Sequence, residues 1–213
     1  MRIRPRRGRR SVLAAVSVGL VVSAALTWSS TYAAFTSQAG STGNSWQTGS
    51  VTLESAGNGS ALFTDTLDSN LRPLSSGSRC IRLEYTGSLT AEIKMYVTTP
   101  TSGVTSLDSH LVMSVERGAD ENTTVPADCT GFTPRTTSPF VYNTVRAENA
   151  AASSTSTMSD LKTHADYANG LLVSGSTAPN TSITLRISYL VKDAPEAQNS
   201  TSQAVFTWEA QNT

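Results

Sequence analysis

Apolar residues fall at every second position in several short stretches of this chain, and such a period-two pattern predicts half-buried β-strands. Val51 and Leu53 alternate with Ser50 and Thr52. Ala61-Leu62-Phe63 reads as a further short strand after the Gly57-Asn58-Gly59 turn, and 68–78, with Pro73 and Gly77, reads as a loop. Ile81, Leu83 and Tyr85 share one face, opposite Arg82 and Glu84. Ile93, Met95 and Val97 then alternate with Glu92, Lys94 and Tyr96. With Thr86-Gly87-Ser88 between them, these two runs predict a hairpin. Each inward face would bury three sizeable side chains, worth roughly 1.5–3 kcal/mol apiece.

The alternation resumes at Leu111, Met113 and Val115, with Ser114 and Glu116 on the outward side. Positions 117–139 carry Gly118, Pro126, Gly131, Pro134 and Pro139 and read as a long loop. A two- or three-turn helix is expected after Ser156 or Thr157. Asp160 would complete the cap, Met158, Leu161 and Ala165 would share a face, and Gly170 would end it. Two longer strands close the chain. One carries Ile183, Leu185, Ile187 and Tyr189 inward, the other Phe206, Trp208 and Ala210. Roughly eight short strands and one small helix predict an all-β, two-sheet β-sandwich.

The first 33 residues follow a different pattern. Arg2, Arg4, Arg6, Arg7, Arg9 and Arg10 form a basic head, and Val12 to Leu26 is a mostly apolar run of 15 residues. That order is expected of a secretory signal peptide. The run is short for the ~20 residues of a spanning helix and is broken by Ser17, Gly19 and Ser23, so no stable membrane span is expected after cleavage. Thr31 and Ala33 supply small residues at −3 and −1, which places the cut between Ala33 and Ala34. A cut after Ala34 would put Tyr32 at −3. Although Arg9-Arg10 resembles a twin-arginine signal, an Arg-rich head contains such pairs by chance, and ordinary export is expected. The organisation read this way is a signal peptide over 1–33, an N-terminal segment over 34–48 and a sandwich over 49–213. The signal peptidase is a partner during export.

Charge changes the picture once the leader is set aside. Six of the 16 basic residues lie in the first ten positions and no acidic residue precedes Glu54. The remainder therefore carries ten basic against 16 acidic residues, a net of −6. No basic stripe is visible, so nucleic acid is not an expected partner. Ser and Thr make up 61 of the 213 residues, which suits an extracellular β-domain with Thr-lined strands. The sequons at Asn58, Asn122, Asn180 and Asn199 are the chance yield of that composition. Two cysteines, Cys80 and Cys129, in an exported chain are expected to pair. Closing the ~50-residue loop between them would stabilise the fold by roughly 4 kcal/mol and pin the long loop to the sheet.

The stretch Ala33-Ala34-Phe35 through Gly43-Asn44-Ser45-Trp46-Gln47-Thr48-Gly49-Ser50-Val51-Thr52-Leu53 resembles the start of the TasA/camelysin family of secreted bacterial surface proteins. Cys80–Val97 and the terminal Phe206–Asn212 are similar to segments of that family too. The resemblance implies processing by a SipW-type peptidase, a first strand over Gly43–Leu53 and a jelly-roll arrangement of the sheets. It further implies a subunit of an extracellular fibre or biofilm matrix, with copies of itself or related surface subunits as partners. Ala34–Asn44 would be the donor strand, and Phe35, Ala39 and Trp46 are the candidate assembly residues. Trp46 reads more readily as a core residue of the first strand than as an exposed contact.

Camelysin is described as a surface metalloprotease, so metal chemistry is the rival expectation. Zinc hydrolysis needs three protein ligands and a general base. His110 and His164 are the two histidines, with no H-E-x-x-H and no ligand spacing beside either. The oxygen-rich 65–70 stretch lacks the register of a calcium loop, and no G-x-S-x-G or phosphate loop occurs. The expectation is therefore no enzyme, no catalytic or metal site and no cofactor. A monomeric surface binding module is the third possibility.

Overall fold

The computed structural model describes residues 36–40, 53–55, 62–63, 71–101, 103, 105–119, 124–151 and 153–212. All lie in one compact unit, Phe35–Thr213. Nine strands are present among them: β1 (Thr36–Gly40), β2 (Leu53–Ser55), β3 (Ser76–Tyr85), β4 (Ala91–Thr98), β5 (Leu111–Arg117), β6 (Phe140–Tyr142), β7 (Leu171–Thr177), β8 (Thr181–Val191) and β9 (Val205–Asn212). One sheet has the order β1-β9-β4-β7 and the other β2-β3-β8-β5-β6, with every pair antiparallel.

The pairs nest. β1 pairs with β9, β3 with β8, β4 with β7 and β5 with β6. This is one long antiparallel ribbon with its turn between β5 and β6. Rolling that ribbon adds the β4–β9 and β5–β8 contacts and closes two sheets over a shared core. Such a rolled ribbon is a jelly roll. The alternating residues predicted to point inward do so: Ile81, Leu83, Tyr85, Ile93, Met95, Val97, Met113, Val115, Ile183, Leu185, Ile187 and Trp208 all belong to one buried cluster.

Three local expectations are corrected. β3 and β4 do not form a hairpin, because they belong to opposite sheets. The chain crosses between sheets as an arch, so the two apolar faces meet across the core rather than side by side. Alternation alone cannot separate these cases, since both bury the same residues. Within the arch the Tyr85 hydroxyl donates to the Leu89 carbonyl (2.5 Å). Gly87 packs so closely on the Tyr85 ring that a Cβ there would overlap it.

The helix α1 spans only Met158–Leu161, a single turn. Thr157 caps it by accepting from the Asp160 amide (3.4 Å), and Met158 and Leu161 are buried. Ala165 lies beyond the helix and is exposed. The chain leaves the helix at Lys162, where the Thr163 hydroxyl donates to the Asp160 carbonyl (2.7 Å) and the His164 amide donates to the Leu161 carbonyl (3.2 Å). Leu62 and Phe63 form bends rather than a strand. Phe63 packs edge-on against Tyr189, with centroids 5.4 Å apart.

Candidate assembly edge

Among the described residues β1 is an edge strand with a single neighbour, β9. Thr36 stands opposite Gln211, Ala39 opposite Trp208 and Gly40 opposite Thr207. Residues of the candidate donor segment thus form a strand on the chain's own sheet, and Ala39 is part of it. Thr31, Ala33, Ala34, Phe35 and Trp46 lie outside the described residues, as does most of the Gly43–Leu53 stretch.

The strand that receives β1 has two distinct faces. Trp208 and Ala210 are buried in the core, and Phe206 stacks beside Trp208 at 6.3 Å. Glu209 points away from the core yet is also buried. It accepts from the Tyr96 hydroxyl (3.1 Å) and from the Gln211 side-chain amide (3.0 Å). Burial, reinforced by the Glu209 carboxylate, pushes the Tyr96 hydroxyl up to about 12. Tyr167 donates to Glu92 (3.2 Å), and burial followed by the Glu92 charge raises its pKa as well. Both tyrosines are therefore proton donors at neutral pH. Their hydroxyls link β4 to β9 and to the chain before β7 on the outer face of this sheet.

The other sheet is covered on its outer face by chain on either side of β6, including Ala127, Cys129, Phe132 and Ala147. Ser114 and Glu116 face outward from the core, as their alternation predicts, but both are buried beneath this cover. Glu116 accepts from Arg186 Nε (2.7 Å), and Arg186 sits under the Phe132 ring at 4.4 Å. Ser114 Oγ accepts the Ala147 amide (2.9 Å). The Cys80–Cys129 disulfide, with its Cα atoms 5.0 Å apart, joins the cover to β3. Beside it the Cys80 amide donates to the Ala127 carbonyl (2.9 Å). Cys129 adopts φ +66°, and Asp128 accepts the Thr130 amide (2.9 Å), which lowers the Asp128 pKa. The expected pinning of the long loop to the sheet is present.

His110 ends a 3-10 turn over Asp108–His110, and His164 Nδ1 lies 2.7 Å from the Asn169 carbonyl. Among the described residues no three His, Cys, Asp or Glu side chains group to hold a metal. No described helix is long and apolar enough to cross a membrane.

Two strands that alternation did not announce are β6 and β7. Both lie at sheet edges, and Leu171-Leu172-Val173 was the available signal for β7. In comparisons with known proteins, no family model and no curated protein matches the chain.

Proposed function

We propose that this chain is an exported, cell-surface structural protein whose copies join through the N-terminal strand into a fibre or matrix. The observation that carries the reading is the place of β1 in the sheet. It is five residues long, has one neighbour and is the first strand after the basic-apolar leader. Backbone hydrogen bonds make up that pairing, and the β1 of a second copy offers β9 the same ones. Exchange between copies is therefore close to neutral in contacts, and concentration decides it. A donor from one copy and an acceptor on the next form a heterologous contact, which propagates rather than closes. Release of the leader frees the donor and serves as the trigger, with the signal peptidase as the partner of that step. The disulfide suits the oxidising side of a membrane.

The reading is non-enzymatic and involves no cofactor. The resemblance to the TasA/camelysin family supports the same assignment, with related surface subunits as further partners.

The test is to delete 34–40 from protein that begins at Ala34. Full-length mature protein should give fibres by electron microscopy. The deletion variant should stay folded, keep its disulfide and sediment as a monomer. Fibres of unchanged abundance from the deletion variant would exclude strand exchange. Chelator-sensitive hydrolysis of a protein substrate would instead favour the camelysin-like protease.

A further inference from the structure

β9 presents two different rows to the strands beside it. Its inward row, Phe206, Trp208 and Ala210, is buried in the core. Its outward row is Thr207, Glu209 and Gln211, and Glu209 alone among these carries a charge. The Glu209 side chain is buried, with the residue 4% exposed, and accepts from the Tyr96 hydroxyl through Oε2 and from the Gln211 side-chain amide through Oε1. Its cross-strand neighbour on the β4 side is Lys94, and on the β1 side it is Gln38. Lys94 Nζ lies 3.3 Å from Glu92 Oε1 and 4.7 Å from the centre of the Tyr167 ring.

Residues directly opposite each other in an antiparallel pair hold their Cβ atoms about 4.5–5.5 Å apart. Whatever residue occupies position 38 is therefore the neighbour that Glu209 meets on the β1 side. A buried carboxylate is stable beside donors and cations and is disfavoured beside a second carboxylate. The backbone of β9 makes no such distinction, because every strand offers it the same N–H and C=O groups. β1 reads Thr36-Ser37-Gln38-Ala39-Gly40, in which Gln38 is the longest side chain and the only amide. The one amide of the strand thus stands opposite the one charge of the row that receives it.

We propose that Glu209 selects the strand that pairs with β9, through the residue that stands opposite it. It admits an amide or a cation at that position and rejects a carboxylate. The partner it accepts is a strand with the character of Gln38, from the same chain or from a second copy. For a second copy the inference rests on the strand exchange argued above. Within one chain it does not, since the β1–β9 pairing is present there.

Four proteins that begin at Ala34 test this: the parent, Gln38→Glu, Gln38→Lys, and Gln38→Glu combined with Glu209→Gln. Hydrogen-exchange protection factors of the β9 amides directed at β1 report the pairing within one copy. Gln38→Glu should lower them about ten-fold, because like charges then stand opposite and the amide is lost. Adding Glu209→Gln should restore them, and Gln38→Lys should hold them at or above the parent level. Protection of β8 should be the same in all four. Between copies, Gln38→Glu monomer should fail to extend parent fibres. Unchanged protection in Gln38→Glu, or a loss that Glu209→Gln does not restore, would overturn the proposal. An equal loss in Gln38→Lys would overturn it too, since position 38 would then be read by its packing and not by its charge. A parent that forms no fibres, with Gln38→Glu still lowering protection and Glu209→Gln restoring it, would refute strand exchange and uphold selection by Glu209 within one chain.

Discussion

Tyr96 and Cys80 show how single side chains tie outer layers to this sandwich. Tyr96 is buried against Glu209, and its folded pKa of about 12 lies above the ordinary tyrosine value of 10. Below pH 10 the hydroxyl is protonated in both folded and unfolded chains, and its contribution to stability is complete. Between pH 10 and 12 the unfolded chain ionises first, so that stability declines across this window. An absorbance titration at tyrosinate wavelengths should show Tyr96→Phe removing a late-titrating group. A Tyr96→Phe curve identical to the parent's would refute the assignment. Cys80 acts on the other sheet. With the paired cysteines 49 positions apart in sequence, replacing both by Ser should cost roughly 2–5 kcal/mol in urea unfolding. Because the disulfide anchors the cover over Glu116 and Arg186, the variant should also expose Phe132 to solvent quenchers. A change below about 1 kcal/mol would mean that the cover holds without its anchor.

Among the elements, the arch between β3 and β4 carries the strictest local requirement. A methyl at Gly87 would occupy the space of the Tyr85 ring, and Tyr85 is held by its bond to the Leu89 carbonyl. Gly87→Ala should therefore destabilise the fold by about 1–3 kcal/mol. Gly87→Ala combined with Tyr85→Leu should lose less than the two single changes together, because the ring that clashes is gone. Thermal unfolding of the three variants measures this, and strictly additive losses would count against the packing account. The same arch marks the limit of what alternation reveals. Ile81 to Val97 shows clearly which residues are inward, and all of them are. Whether consecutive strands pair or face one another depends on contacts more than a hundred residues away, such as Arg82 against Thr184 and Met95 against Trp208. Edge strands are harder still to read. β6 has three residues, and β7 mixes a leucine pair with Gly and Ser, because a strand with one neighbour need not satisfy two. The spacing of Met158, Leu161 and Ala165 overstates the helix, since the chain leaves it at Lys162, before Ala165. At the candidate edge, the uncharged, proline-free segment 34–44 was legible as able to pair as a strand, and 36–40 do so on the chain's own sheet. Its pairing with β9 was not, because the register is set by backbone groups that all residues share.

For the whole molecule, the nested ribbon sets an order of local stability. Its inner strands are enclosed on both sides: β8 lies between β3 and β5, and β4 between β9 and β7. β1 is the outermost turn of the roll, with five residues paired to one partner. Opening it breaks the β1–β9 pairing and leaves the β4–β9 ladder intact. Local unfolding free energies rise from such edges toward the global value at the centre. Native-state hydrogen exchange should therefore find that β9 amides directed at β1 exchange well before those directed at β4. Amides of β8 between β3 and β5 should be the slowest of all. Strand exchange between copies needs this asymmetry, since a β1 that opened only with global unfolding could not swap in the folded state. Uniformly slow exchange along both edges of β9 would therefore remove the route to assembly. Early exchange confined to the β1 side, suppressed on polymerisation, would identify that strand as the element that changes partners.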